Sequence, residues 1–492
     1  MRIIVGKTSD KAVDMLDRES NIGSLSGNVC IVAPNKSDRV DTIVIPNLLS
    51  WKESLVVLDI DGEKWRETAG YRKRIGNQRV VKFEPACNDG SSAHWNPLAE
   101  INIRSQNENV DTNIIAKTLL GDDIGKSTYN LETTTLFECI LIHLMYKAYR
   151  EHSSLPNLAD CYDFISKSNN PFVDMERYSH ISIKEFLSDT NIFEEIYGNY
   201  ILDNEIDGIK FHNIKDIKAH VKHHIPKDLL ENESICIRNL TDEEVKSGKY
   251  IDIKRKPWCQ LLCHPQITNN LAYLRKDNSV LQDACAVLRE KLAVYTEQNI
   301  AENLAYSDFK IDKLSACVKY FSIYLVIDSK DLKKLGNVMK LFCNILLKTK
   351  TGLPDIIFKK KYIQDNYKSV LFMLDDFTKL GVIDELVSSL PISCNYNIFT
   401  CLTADSEKSI YALYPESYLT CNCINGYIKE DRIILFGREG YILYKLSDFK
   451  ELYYRQYGNN IKPPVDSDVV TDIHNFTDVQ VVNQYADSHE SD

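Results

Sequence analysis

Short runs of apolar, β-branched residues occur near both ends of the chain, and their length and composition predict buried strands. The predicted strands fall at residues 28–33, 42–45, 54–60, 79–83, 321–328, 369–374, 397–402 and 431–436. Two of the later runs are followed by stretches with helical spacing, at residues 331–349 and 379–390. Alternating strands and helices are typical of a mainly parallel sheet with helices on both faces, so the pattern predicts an α/β fold.

The middle of the chain has a different period. Apolar residues recur at helical spacing in residues 111–120, 135–150 and 280–296, and few strand-like runs lie between them. Residues 180–249 are rich in charge, Asn and Ile and show no clear pattern. We therefore predict that an all-α domain interrupts the α/β core.

These patterns divide the chain into five parts. We predict a lead-in at residues 1–21, the first part of the core at 22–104, the all-α insertion at 105–300, the second part of the core at 301–460 and a tail at 461–492. The tail begins near Pro463 and Pro464 and then carries acidic residues without Lys or Arg. This composition is typical of a disordered, solvated segment.

Composition narrows the class of protein. The net charge of −11 disfavours a chain that grips nucleic acid with its whole surface, although a local basic patch is compatible with it. The 14 cysteines lie at irregular spacings and no apolar leader precedes them, which favours thiols in a reducing cytosol. The most apolar segment, residues 136–146, is shorter than the roughly 20 residues of a spanning helix. We therefore predict a cytoplasmic protein without direct membrane insertion.

Three blocks of residues lie at the ends of predicted strands. The first block is Ala33-Pro34-Asn35-Lys36-Ser37-Asp38-Arg39-Val40, followed by V-I-P-N-L-L at residues 44–49. The second block is V-L-D-I-D-G-E at residues 57–63, followed by T-A-G-Y-R at 68–72, F-E-P at 83–85 and N-P-L at 96–98. The third block is L-D-D-F-T-K-L-G at residues 374–381.

In order and spacing, these blocks resemble the TraG-like coupling proteins of type IV secretion. The family pattern is a phosphate loop (G/A)-P-T-x-S-G-K-(G/S/T) before V-I-P-N-L-L, then V-L-D-x-K-G-E, T-A-G-Y-R and the Walker B strand L-L-D-E-F-x-x-L-G. The resemblance covers most of the α/β part and implies a RecA-like P-loop NTPase core with an inserted all-α domain. Family members usually carry two N-terminal membrane helices, which we do not expect here because the first core strand lies so early.

The candidate phosphate loop departs from what nucleotide binding needs. The resemblance assigns this role to Pro34, Asn35, Lys36, Ser37, Asp38, Arg39 and Val40. A phosphate loop uses glycines to let backbone N–H groups wrap the phosphates, a Lys to reach them and a Ser or Thr hydroxyl for Mg²⁺. Asp38 stands at the Gly position, Arg39 at the Lys position and Val40 at the hydroxyl position. We therefore expect ATP and Mg²⁺ to be absent or weakly bound.

Asp375 and Asp376 are the candidate catalytic residues. The resemblance implies that Asp375 is the Walker B acid, which could hold Mg²⁺ through water, and that Asp376 replaces the catalytic Glu. Because its side chain is one methylene shorter, Asp376 would misplace the attacking water by about 1 Å, at a cost of roughly a hundredfold in rate. The alternative is an acidic strand end without any ligand. The family's Gln after the next strand is not evident, and Leu402 and Thr403 occupy that region.

Other residues with possible chemistry are expected to be structural or solvated. The candidate zinc ligands are separated in the sequence and do not suggest one site: Cys259, Cys263 and His264 in one place, and Cys421 and Cys423 in another. We expect Arg289 to be a solvated helix residue rather than an arginine finger that acts on a neighbouring subunit. The basic run at residues 359–361 is expected to be a solvated loop. We predict no metal site.

The sequence leaves three functions open. The first is a coupling-protein relative that docks DNA or protein substrates to a secretion machine, with impaired or absent ATP hydrolysis. The second is an active hexameric ATPase motor of DNA or effector transfer, and the third is a non-catalytic protein that binds single-stranded DNA. The expected partners are the secretion machinery or a membrane-bound coupling protein, and an adaptor or chaperone at the tail. DNA is a further candidate partner. Such partners would place the chain peripherally at the inner face of the plasma membrane.

Overall fold

The computed structural model describes most of the chain in two compact units. The residues described are 3–8, 11–14, 27–34, 39–74, 76–121, 130–168, 170–188, 205–206, 208–224, 236–237, 250–251, 261–276, 278–311, 320–351, 369–415, 418–419, 422–429, 432–437 and 440–445. The first unit holds the described residues up to Trp95 and from Ser307 onward, and the second holds those from Asn96 to Tyr306. The predicted tail, residues 461–492, lies outside the described residues.

The helices and strands fall into three stretches of the chain. Up to Trp95 they are β1 (Ile4–Thr8), β2 (Lys11–Asp14), β3 (Val29–Val32), α1 (Ile45–Ser50), β4 (Ser54–Ile60), α2 (Glu63–Arg74) and β5 (Arg79–Phe83). Between Asn96 and Tyr306 they are α3 (Glu108–Leu120), α4 (Asn130–Glu151), α5 (Leu158–Lys167), α6 (Pro171–Arg177), α7 (Ile183–Leu187), β6 (Glu205–Ile206), β7 (Ile209–Lys210), α8 (Ile214–His224), β8 (Cys236–Ile237), β9 (Tyr250–Ile251), α9 (Pro265–Leu274), α10 (Asn278–Leu292) and α11 (Gln298–Asn303). From Ser307 they are β10 (Phe321–Ile327), α12 (Leu332–Thr351), β11 (Val370–Leu374), α13 (Asp384–Ser389), β12 (Ile398–Ala404), α14 (Glu407–Tyr411), β13 (Ile424–Lys429), β14 (Arg432–Gly437) and β15 (Gly440–Lys445).

The first unit is built on one sheet in the order β2-β1-β15-β14-β13-β3-β12-β11-β4-β10-β5. The strands from β13 to β5 are parallel to one another, whereas β14, β15, β1 and β2 extend the sheet in antiparallel fashion. The predicted α/β fold with a mainly parallel sheet is therefore confirmed. The segment expected only as a lead-in contributes β1 and β2 to this sheet.

Helices cover the parallel strands on both faces, which explains why β4, β10 and β11 are buried at every position and are mostly apolar, without polar alternation. On one face, Val57 and Tyr324 belong to a core cluster with Leu48 of α1, and Trp65 of α2 packs against it. On the other face, the ring of Phe342 in α12 stacks on Phe83 of β5 with their centroids 6.3 Å apart.

The predicted strand at residues 42–45 is wrong, because this segment is helical. Val40–Val44 forms a π-helical turn in which the N–H of Ile45 donates to the carbonyl of Val40, and α1 continues from it. A short apolar run does not distinguish a strand from a buried helix, and here Thr42, Ile43 and Val44 are buried in the helical state. Pro46 lacks an N–H, so a regular α-helical hydrogen-bond ladder is interrupted at this point.

The helix predicted at residues 379–390 is divided in two. A 3₁₀ turn at Phe377–Leu380 ends at Gly381, and α13 begins only at Asp384. Gly381 has a φ of 77°, in the left-handed region that a continuous helix cannot include. The chain therefore changes direction directly after the Walker B block.

Within the part of the second unit that the structure describes, the elements are helical apart from two short pairs of strands, β6 with β7 and β8 with β9. The helical periods at residues 111–120, 135–150 and 280–296 correspond to α3, α4 and α10 with a following 3₁₀ turn. Capping boxes fix two helix starts, with Asn157 before α5 and Ser182 before α7. Of the helices that the structure describes, none is both long and apolar enough to cross a membrane.

Candidate functional site

Neighbouring parallel strands place the candidate site at one edge of the sheet. The register of β4, β11 and β12 brings Asp59, Asp375 and Thr403 level with one another at the carboxyl ends of these strands. Ala33 follows β3, and its N–H donates to the carbonyl of Ala404 over 2.8 Å. The candidate phosphate loop therefore begins beside the Walker B acids, at the edge where open α/β sheets bind their ligands.

Arg39, the residue at the Lys position of the phosphate loop, points into this edge. Its Nε donates to Oδ1 of Asp375 over 3.0 Å, and Nη2 lies 2.5 Å from Oδ1 of Asp376. Its Nη1 donates to the carbonyl of Ala33 over 3.0 Å. The guanidinium is buried; Nε and Nη1 donate hydrogen bonds, and Nη2 forms an ion pair with Asp376. Arg39 thus ties both candidate catalytic acids to the start of the loop.

Lys64 is a second buried cation at this edge, and it was not singled out from the sequence. The turn after β4 places Asp61 and Gly62 at positive φ, with 71° at Gly62, and α2 then begins. This turn directs Nζ of Lys64 to within 2.7 Å of Oδ2 of Asp375 and 3.9 Å of Oδ1 of Asp59. A positively charged side chain therefore lies between the two buried acids.

Asp59 has a structural partner in the same turn. Its carboxylate accepts the N–H groups of Lys64 over 3.0 Å and of Trp65 over 2.6 Å at the start of α2. A carboxylate in this position satisfies orphan N–H groups and complements the positive end of the helix dipole. The aspartate of the V-L-D motif therefore anchors α2 to β4.

Thr403 completes the environment of the two candidate catalytic acids. Its hydroxyl donates to Oδ1 of Asp375 over 2.5 Å and accepts the N–H of Asp376 over 3.0 Å. Asp376 has a φ of 54°, so this hydrogen bond holds a backbone conformation that non-glycine residues seldom adopt. Oδ2 of Asp376 lies 2.9 Å from Nζ of Lys379 in the following turn.

The charges at this edge stabilise one another. Burial opposes ionisation of Asp375, but Lys64 and Arg39 outweigh it and hold the pKa of Asp375 below its usual value. Burial likewise opposes the charged form of Arg39 and of Lys64, yet their carboxylate neighbours raise the pKa of both groups. Burial dominates at Asp59 and raises its pKa to about 6.

The described residues do not fit a MgATP site of the usual kind. A divalent cation needs carboxylate or hydroxyl oxygens, but both oxygens of Asp375 and both of Asp376 already face donors or cations of this chain. Val40 offers no hydroxyl and packs against the apolar core. Pro34 is exposed, and the remaining loop residues, Asn35, Lys36, Ser37 and Asp38, lie outside the described residues. The expectation that ATP and Mg²⁺ are absent or weakly bound stays a prediction.

Arg72, the arginine of the T-A-G-Y-R block, has a structural role. Arg72 is fully buried, and its guanidinium donates to the hydroxyl of Ser322, to Oε1 of Gln78 and to the carbonyls of Leu48, Trp51 and Glu53. Burial lowers its pKa to about 10. The motif residue therefore ties α2, α1 and β10 together and does not face the candidate site.

Two other candidates from the sequence are also structural. Arg289, considered as an arginine finger, donates through Nε and Nη2 to the carbonyl of Ile165, over 3.2 and 3.1 Å. Nε2 of His264, considered as a zinc ligand, lies 2.8 Å from Oε1 of Glu108. Among the described residues no group of side chains could hold a metal ion. Cys259, Cys421 and residues 359–361 lie outside the described part of the chain.

The helical unit contains a buried polar network that no sequence motif indicated. Glu108 binds His264 and accepts the hydroxyl of Tyr146 over 2.9 Å. Nδ1 of His143 lies 3.0 Å from Nε2 of His180, whose Nδ1 accepts the N–H of His264 over 3.3 Å. Burial lowers the pKa of His143 to about 3 and that of His180 well below its usual value. The neutral imidazoles therefore connect helices that are remote in the sequence.

Comparison with known proteins agrees with the motifs. The profile of the family described as "Type IV secretory system Conjugative DNA transfer" matches residues 3–196 and 235–415. The chain is 26% identical over 407 residues to a conjugal transfer protein TraG of Escherichia coli, covering 80% of this chain and 51% of the relative. A second TraG protein of Escherichia coli is 25% identical over 443 residues, covering 86% of this chain and 57% of the relative.

Solved structures of a bacterial conjugative coupling protein are also similar. The unbound form of TrwBdeltaN70 aligns with a TM-score of 0.49 and 10% identity, over 90% of this chain and 80% of that one. The chain spans about half the length of the TraG relatives it matches. The family profile extends over both units and includes Arg39 and Asp375. On the extent of this match, the chain belongs to the type IV secretory system conjugative DNA transfer family of coupling proteins.

Proposed function

We propose that this chain docks DNA or protein substrates to a type IV secretion machine and does not hydrolyse ATP. The observation that carries this proposal is the position of Arg39, whose guanidinium binds both candidate catalytic acids. Phosphoryl transfer requires Mg²⁺ on the phosphates and a residue that orients the attacking water. Among the described residues, the carboxylates that would hold Mg²⁺ and orient the water are those of Asp375 and Asp376, and both are paired with Arg39.

The docking part of the proposal is supported by family membership. The family profile is described by conjugative DNA transfer, and the relatives are described as conjugal transfer proteins. We therefore propose DNA or a protein effector as cargo, and the secretion machinery or a membrane-bound coupling protein as the partner. The acidic tail at residues 461–492 is the proposed attachment point for an adaptor or chaperone.

Complementation tests this function directly. The host gene would be deleted, and substrate transfer would be measured after return of the wild-type chain or of Asp375→Asn and Asp376→Asn variants. A docking subunit predicts that deletion reduces transfer and that each variant restores it, once its thermal midpoint is shown to lie close to that of the wild type. Thr403→Val, which removes a hydroxyl from Asp375 without changing a charge, serves as the matched control for local perturbation.

The hexameric motor and the single-strand binder make different predictions. A motor requires that folded Asp375→Asn fails to restore transfer although the wild type does. A non-catalytic DNA-binding component predicts salt-dependent binding of single strands by the purified chain, because counterions are released from phosphates. Transfer that is unaffected by deletion contradicts the docking role itself.

A further inference from the structure

We propose that Arg39 and Lys64 permanently take the place of a divalent cation at Asp375, so that this edge of the core is complete without metal. This inference rests on the proposed function and specifies its cause. It goes beyond loss of nucleotide binding, because it assigns Arg39 and Lys64 the specific role of replacing the metal ion. Its readout is metal binding and needs no nucleotide, so it can fail while the absence of ATP hydrolysis still holds.

The charges balance within the described residues. The edge carries the carboxylates of Asp59, Asp375 and Asp376. Arg39, Lys64 and Lys379 supply an equal number of cations, each within 4 Å of at least one of these carboxylates. Two of the three cations are almost fully buried, with side-chain exposures of 7% for Arg39 and 4% for Lys64. An added divalent ion would therefore enter an already neutral cluster.

Asp375 is enclosed by donors on both oxygens. Oδ1 accepts from Nε of Arg39 and from the hydroxyl of Thr403, and Oδ2 lies 2.7 Å from Nζ of Lys64. Mg²⁺ requires oxygens at about 2.0–2.1 Å in near-octahedral arrangement, so it would have to displace these groups. Like charges at such separations also repel strongly when water is excluded.

The two cations reach Asp375 from independent elements. Arg39 stands just before the π-helical turn that follows the loop, and its Nη1 is held by the carbonyl of Ala33. Lys64 stands in the first turn of α2, whose start is fixed by Asp59. Since each position is set by its own backbone contacts, removal of one cation leaves the other in place. Opening the site fully therefore requires both to change.

Mn²⁺ titration followed by electron paramagnetic resonance of the free ion tests this inference. The proteins compared are the wild type, Asp375→Asn, the double variant Arg39→Gln with Lys64→Gln, and that double variant with Asp375→Asn added. We expect no measurable Mn²⁺ binding to the wild type. The double variant should bind Mn²⁺, with an affinity at least about tenfold higher than any affinity of the wild type. Addition of Asp375→Asn should abolish the gain. Arg66→Gln, an exposed change in the same helix, is the matched control and should leave Mn²⁺ binding unchanged.

Two results would overturn the inference. One is Mn²⁺ binding by the wild type that Asp375→Asn removes, and the other is a folded double variant that gains no Mn²⁺ affinity. If the double variant does not fold, the thermal midpoint of the wild type is compared in EDTA and in excess Mn²⁺. Equal midpoints support internal neutralisation, whereas an increase with Mn²⁺ that depends on Asp375 refutes it.

Discussion

Lys64 Nζ lies 2.7 Å from Oδ2 of Asp375, so a residue in the first turn of α2 neutralises the acid at the end of the neighbouring strand β11. The contact is buried, and Asp59 shares it at 3.9 Å. In a site that works with Mg²⁺, the metal would provide this positive charge. The contact therefore connects the fold of the first unit to its proposed lack of hydrolysis.

Removing Lys64 should be costly. Lys64→Met would leave two buried carboxylates short of a partner, and breaking a buried pair in this way costs about 3–5 kcal/mol. The free energy of unfolding, measured by urea denaturation, should fall by about that amount. Lys379→Met is the matched control, because Lys379 also pairs with a Walker B acid but is 43% exposed. That change should cost less than about 1 kcal/mol, and equal losses for both variants would contradict this account.

Arg72 should be irreplaceable even by lysine. Its guanidinium serves two side-chain acceptors and three carbonyls in the interior, and an ammonium cannot reach them all. We expect Arg72→Lys to lower the free energy of unfolding by about 3 kcal/mol or more, since hydrogen bonds to charged groups contribute about 1.5–3 kcal/mol each. Arg66→Lys, which removes a guanidinium from an exposed site with one carbonyl partner, should change it by less than about 0.5 kcal/mol. A small effect at Arg72 would show that water replaces its contacts.

The helical unit should lose stability in mild acid. Burial, with a smaller contribution from Lys147, lowers the pKa of His143 from its ordinary value of 6.5 to about 3. Between these values the unfolded chain binds a proton that the folded chain does not, so stability falls as pH falls, by up to about 1.4 kcal/mol per pH unit for one histidine. His143→Leu should reduce this slope in urea denaturation between pH 4 and 6.5. His223→Gln, at an exposed position, should leave it unchanged.

Restoring the phosphate loop should recover part of the nucleotide binding. The triple variant Asp38→Gly, Arg39→Lys and Val40→Thr removes the acid at the Gly position of the loop, releases Asp375 and Asp376 from the guanidinium and returns a hydroxyl for Mg²⁺. We expect calorimetry to detect MgATP binding by this variant and none by the wild type. The same triple variant with Asp375→Asn is the control, and it should bind less well. No binding by a folded triple variant would show that the loop changes alone do not open the pocket, where Lys64 still lies 2.7 Å from Oδ2 of Asp375.

Much of the fold was predictable because its signals are local. The strands that became β4, β10, β11 and β12 are apolar runs, and a parallel sheet covered on both faces requires such runs. The strand predicted at residues 42–45 was wrong, because four consecutive β-branched residues fit a buried helical turn as well as a strand. The short strands β1 and β2 carry no distinctive pattern of this kind.

The candidate site was predictable only in part. Motif order located Arg39, Asp375 and Asp376, which the structure brings into contact. Lys64 had no such signal, because a lysine beside a turn is usually solvated and only the positive φ of the preceding residues turns it inward. Glu108 and His264 are 156 residues apart, so their contact depends on helix packing that no local pattern records.

Calorimetry of the wild-type chain with MgATP, together with phosphate release at high protein concentration, tests the proposed lack of ATP hydrolysis most directly. We expect no binding at micromolar nucleotide and no phosphate release above the background of the buffer, because Arg39 and Lys64 hold the carboxylates that metal and water would need. Micromolar affinity, with turnover that Asp375→Ala abolishes, would contradict the account and establish an active motor.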